Sequence, residues 1–142
     1  MKTYKGKLYS LPENSIFVFG SNTEGKHGKG AAKIAKDKFG AIYGISYGLQ
    51  GNSFGIVTKD LNKNNHPSIS RLKIINQILS FYLFAQQNKN KNFYIAYTAD
   101  NKNLNGYTSI EMANMFALKV KIPDNIIFEE NFYKLMRNKK YN

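Results

Sequence analysis

The stretch SIFVFGSNTEGKHGKGAAKIAKDKFG, residues 15–40, runs through a strand pattern, a glycine-rich loop and a helix pattern in succession. SIFVFG (15–20) is short, β-branched and aromatic, and it stops at a glycine, as a buried strand does. GAAKIAKDKFG (30–40) sets Ala31, Ala35 and Phe39 on one helical face with Ile34 beside them, and Gly40 is a natural C-terminal stop. From Gly20 the loop between them reads G-x-x-x-x-G-K, like a phosphate loop. His27, however, stands where a nucleotide-hydrolysing P-loop needs a hydroxyl for magnesium, and Gly28 and Gly30 intervene before the helix. GKGAAK supplies G-x-G but puts Lys33 where a dinucleotide fold needs its third glycine. What survives is simpler. Gly25, Gly28 and Gly30 let backbone approach a ligand closely, and the N–H groups that open the helix attract an anion. The plainer reading is a connection whose glycines serve only its turns. Four glycines within residues 20–30 exceed that need and favour a ligand.

Outward from this unit, AIYGISY (41–47) and SFGIVTK (53–59) read as strands around the turn GLQGN. SRLKIINQILSFYLFAQQ (70–87) reads as a long helix, apolar nearly all round and suited to burial against a sheet. NFYIAYT (92–98) is a strand pattern. TSIEMANMFALKV (108–120) is a helix pattern opened by Thr108 and Glu111 in a capping box. NIIFEE (125–130) closes as a strand, and NFYKLMRN as a short helix. Strands separated by helices predict one α/β domain over 1–142, a three-layer α/β/α sandwich with a mixed, mainly parallel sheet. Ligands in such folds sit at the carboxyl ends of the strands. Three strand-to-loop passages are expected to converge there: FGSNTEGKHGKG, VTKDLNKNN and YTADNKNLNGY.

Candidate site residues follow from those passages. Gly20, Ser21, Asn22, Gly25, Gly28, Lys29, Gly30 and Ala31 form the first half of a cradle. Thr58 and Lys59 end the second strand, and Thr98, Ala99, Asn105, Gly106 and Tyr107 form the other half. His27 is a candidate anion donor or proton carrier, or a solvated loop histidine. Asp60 and Asp100 are candidate general bases; an Asp at a strand end also commonly caps a turn. A serine nucleophile elbow, paired carboxylates at defined spacing and a metal-ligand pattern are all missing, and no cofactor is expected.

Composition bounds the partners. The 142 residues contain no cysteine, which removes disulfides and thiolate chemistry, and 42% hydrophobic with 14% aromatic residues describe a globular chain. No segment approaches the ~18 apolar residues of a membrane span, so a soluble cytoplasmic protein without membrane contact is expected. The net charge of +12 is nearly all lysine, with arginine only at positions 71 and 137. Lysine lacks the fork with which arginine reads phosphates and guanine edges, so the charge argues for attraction of anions more than for a dedicated nucleic-acid site. A basic nucleic-acid-binding module using Tyr43, Tyr47 and Tyr107 is the alternative to a small-molecule site.

The order of these pieces resembles the macro domain, the ADP-ribose-binding α/β fold. VFGSN precedes the glycine-rich loop and helix much as macro domains run from an Asn-Ala-Asn strand end into a Gly-Gly-Gly-Val-Asp helix start. GLQGNSFGIVTKD is similar to the family's strand before a His-Thr-Val-Gly-like end, and IAYTADNKNLNGYTSIEMANMF to its second phosphate loop and helix. The resemblance spans nearly the whole chain and is nearest to small macro-like proteins with an FGSN…G.HG.GAA core. It implies ADP-ribose or a related nucleotide diphosphate ligand, with the diphosphate between 25–31 and 105–107, and hydrolysis at an ADP-ribose-linked bond in an enzymatic member. The chain departs from the pattern where Lys29 replaces the catalytic Asp and where Lys7 stands near the family's adenine-binding Asp. The second loop has one glycine, Gly106, in place of a cluster.

Overall fold

The computed structural model describes residues 1–97 and 103–138. The elements, in chain order, are β1 (Thr3–Tyr4), β2 (Ser15–Asn22), α1 (Gly30–Lys38), β3 (Gly48–Gln50), β4 (Ser53–Lys59), α2 (Arg71–Gln87), β5 (Asn92–Ile95), α3 (Ser109–Phe116), β6 (Ile126–Glu129) and α4 (Glu130–Arg137). The six strands form one sheet in the order β1-β6-β5-β2-β4-β3, and all neighbours are parallel except β3 against β4. This is the α/β sandwich with a mixed, mostly parallel sheet that the alternation of strand and helix patterns predicts.

Strand alternation divides the apolar side chains into two cores. Ile16 and Val18 of β2, with Phe54, Ile56, Phe93, Ile95, Ile126 and Phe128, face α2, α3 and α4. Phe17 and Phe19 face α1, where Ala32, Ala35 and Phe39 meet them, and Phe17 stacks on Phe39 with ring centroids 4.6 Å apart. A slip of one residue in β2 would exchange these two sets, so the register is tightly specified.

Hydrogen-bonding caps define several helix starts. Ser70 accepts from the Lys73 N–H, and Thr108 and Glu111 form the full capping box. The buried Glu129 carboxylate accepts from the Asn131 and Phe132 N–H groups at the start of α4. Helix α1 differs: Lys29 occupies its N-cap position without a side-chain bond, and its first turn contains no acid.

Three expectations need correction. Residues 41–47 form a looped connection, not a strand. Gly44 and Gly48 have φ of 92° and 91°, and Ile42, Tyr43 and Ile45 are exposed, so of this apolar run only Ala41 joins the core. The supposed turn at 48–52 instead contains β3, held by Gly48, Leu49 and Gln50 opposite Gly55, Phe54 and Ser53. Helix α3 ends at Phe116 rather than Val120, and Leu118 and Ile122 turn back to pack on the larger core.

Candidate functional site

From β2 the chain passes over one face through α1 toward β4, while from β5 it passes over the opposite face through α3 toward β6. The two courses diverge between β2 and β5, which is where parallel sheets open a crevice at their carboxyl ends. A cleft of about 730 Å³ lies there. Its lining includes Gly20–Asn22 at the end of β2, Thr58 and Lys59 at the end of β4, Ile95–Tyr97 from β5 onward, Gly28–Ala32 at the start of α1, and Asn103–Asn105. The two expected halves of the cradle meet directly. A Cβ placed on Gly30 would lie 3.2 Å from Leu104 Cδ1.

Among the described lining residues there are four lysines, Lys7, Lys26, Lys29 and Lys59, and no Asp, Glu or His. Lys26 pairs with Glu24 at 3.2 Å, whereas Lys7, Lys29 and Lys59 form no ion pair among the described residues. The positive end of α1 adds to this field, because its first N–H groups have neither a capping side chain nor a first-turn carboxylate. Ser21 Oγ, in a residue only 3% exposed, has no hydrogen-bond partner among the described residues and belongs to the cleft wall. A buried hydroxyl without a partner is costly unless something else satisfies it. Together these groups suit an anionic ligand with oxygen acceptors.

Several candidate residues have other occupations. Asn22 lines the cleft, but its side chain folds the loop: Nδ2 donates to Lys26 O at 2.6 Å, and Oδ1 accepts from Lys26 N at 2.9 Å. Gly25 lies outside the lining and is packed against backbone, where a Cβ would come within 2.5 Å of the Gly44 carbonyl carbon. His27 is 1% exposed. Its Nε2 sits 3.1 Å from Ile42 O, 3.1 Å from Ile45 O and 3.2 Å from Gln50 Oε1, so Nε2 carries the hydrogen and ties the glycine-rich loop to the 42–50 connection. The ring also meets Phe19 edge-on at 5.2 Å.

Asp60 Oδ1 accepts from Asn62 N at 2.9 Å and from Thr23 Oγ1 at 3.4 Å, which makes it a turn cap outside the described lining. Asn105 lines the cleft while its Oδ1 accepts from Tyr107 N. Gly106 is wedged against the His66–Pro67 backbone, which a Cβ would approach within 2.6 Å. Tyr107 is buried, with its hydroxyl donating to Ile69 O, so it has no free face for a base. Thr98, Ala99 and Asp100 lie outside the described residues.

Tyr4, Lys7, Tyr97 and Phe132 also line the cleft, although no motif in the sequence marks them for it. Tyr4 comes from a two-residue edge strand, and its hydroxyl donates to Ile95 O at 2.6 Å. Tyr97 and Phe132 lie 5.0 Å apart, forming an aromatic wall at the end away from α1. Among the described residues no helix is long and apolar enough to cross a membrane, and no group of His, Cys, Asp or Glu is arranged to hold a metal ion. Compared with protein-family models, curated proteins and solved structures, the chain gives no match.

Proposed function

We propose that this chain binds ADP-ribose or a related nucleotide diphosphate ligand in the cleft at the carboxyl ends of β2, β4 and β5. The observation that carries the proposal is the meeting of four lysines, no described carboxylate and the uncapped start of α1 in one cleft with an aromatic wall. The diphosphate lies over Gly28–Ala31, where backbone N–H groups and the helix dipole meet negative charge without help from side-chain identity. The buried Ser21 hydroxyl donates to the ligand, and the apolar and aromatic end receives its flatter parts. The likeness in motif order to macro domains supports the same ligand class.

The proposal is of binding. Hydrolysis of an ADP-ribose-linked bond needs a group to activate water, and among the described lining residues none is an Asp, Glu or His. The nucleic-acid alternative has lost one of its three stacking residues, since Tyr107 is buried. Calorimetric titration with ADP-ribose, ADP and free ribose tests the proposal. ADP-ribose and ADP bind, ribose does not, and affinity falls less than about tenfold between ~50 and ~200 mM salt. The absence of binding by both nucleotides overturns it. A fall of roughly a thousandfold or more over that range favours an extended polyanion instead.

A further inference from the structure

Helix α2 buries Ile74, Ile78, Phe81, Tyr82 and Ala85 against the sheet and leaves a second apolar stripe outside. Leu72, Leu79 and Leu83 are 68%, 36% and 59% exposed. With the exposed Asn76 and Gln86 they follow the spacing 72, 76, 79, 83, 86, alternating steps of four and three. That is the heptad spacing of a coiled-coil seam, with Asn76 and Gln86 as its polar positions. The edge of the sheet extends the stripe. Leu49 of β3 is exposed opposite Phe54, and the exposed Tyr47 borders the same depression as Ser80 of α2. An open depression of about 440 Å³ lies between Tyr47, Val57, Asn76, Gln77 and Ser80.

The charges on α2 identify what covers this face. The helix has no Asp or Glu, and its two cations, Arg71 and Lys73, both stand in the first turn, opposing their own helix dipole; the last turn carries no cation. A helix arriving antiparallel sets its carbonyl-rich end beside Arg71 and Lys73. A second copy of α2 does so twice, through one twofold axis. With Leu72 of one copy opposite Leu83 of the other, the antiparallel arrangement also separates the two cation pairs by roughly 16 Å at ~1.5 Å per residue, beyond the ~8 Å screening length at physiological salt. A parallel arrangement would stack them.

We propose that the outer face of α2, flanked by Tyr47 and Leu49, is a homodimer interface in which two α2 helices pack antiparallel. No residue of α2 lines the cleft, so this inference stands or falls apart from the ligand reading.

Sedimentation equilibrium from micromolar to near-millimolar chain tests it. The mass rises from one chain toward two, and added salt strengthens the dimer, because each copy carries +12 and the buried stripe is apolar. L72E/L83E, which alters only exposed side chains, keeps the thermal midpoint and stays at the mass of one chain. Since the chain has no cysteine, orientation is readable by oxidation. A mixture of L72C and L83C gives the crossed disulfide, and L72C alone gives little. A parent chain of constant monomer mass overturns the proposal. So does a double variant that still dimerises, or an L72C variant that cross-links to itself more readily than to L83C.

Discussion

Gly25 and Gly28 stand three positions apart in one loop and do different things. At Gly25 the backbone has φ of 66°, and a Cβ would lie within 2.6 Å of both Gly44 and Ile45 backbone atoms. Gly25→Ala is therefore expected to cost about 2–4 kcal/mol of stability by urea denaturation, from strain and overpacking combined. At Gly28 the φ is ordinary for any residue, and a Cβ would meet nothing within 4 Å, although the residue lines the cleft. The fold does not require glycine there; the proposed ligand, approaching the backbone, would. The tyrosines make a second residue-scale prediction. Burial, with the Glu129 charge next in effect, pushes the Tyr4 phenol far above its ordinary range, and burial does the same at Tyr82. A raised folded pKa means that the native state keeps protons the unfolded chain releases above about pH 10, so stability is full below that pH and falls as pH rises beyond it. The thermal midpoint is expected to drop steeply above about pH 10, and Tyr4→Phe with Tyr82→Phe to flatten the drop. An unchanged alkaline slope in the double variant would remove this explanation.

At the scale of elements, the glycine-rich loop is held by its histidine. His27→Ala removes a buried ring and its bond to the Ile42 and Ile45 carbonyls, for an expected loss of about 2–4 kcal/mol. The loop then no longer presents Gly28–Gly30 in one geometry, so ligand affinity falls as well, although His27 is not itself among the described lining residues. Denaturant midpoints and titration of the same variant check the two effects separately. Thr108→Ala, by contrast, removes a cap at the surface and is expected to cost about 1 kcal/mol.

These elements also show what could be read beforehand. Strand β4, the start of α2 at Ser70 and the Thr108 box were legible because their periodicity and caps are local properties of the chain. The connection at 41–47 was not, since its Ile and Tyr residues imitate a strand while facing outward. Strand β1 is too short for any periodicity. At the site, the passages that converge were legible from strand ends and glycines. Which side chains remain available was not. Asn22 and Asp60 are consumed by hydrogen bonds that exist only once their loops have folded.

At the scale of the whole molecule, excess positive charge and a cleft without described carboxylates act together. The net +12 attracts anions from a distance, and in the proposed reading the lysines with the α1 start hold one at the cleft. Doubling Lys29→Ala with Lys59→Ala, two lysines without ion pairs among the described residues, is expected to weaken ADP-ribose by about 1–3 kcal/mol with little change in stability. Calorimetry and thermal melts on the same samples separate the two quantities. The most direct measurement compares ADP-ribose binding to the parent chain and to Gly28→Val under identical conditions. The account predicts one site per chain in the parent and at least about a tenfold loss of affinity, ~1.4 kcal/mol, in a variant whose melting temperature is unchanged. No binding to the parent, or equal binding to a folded Gly28→Val variant, would contradict it.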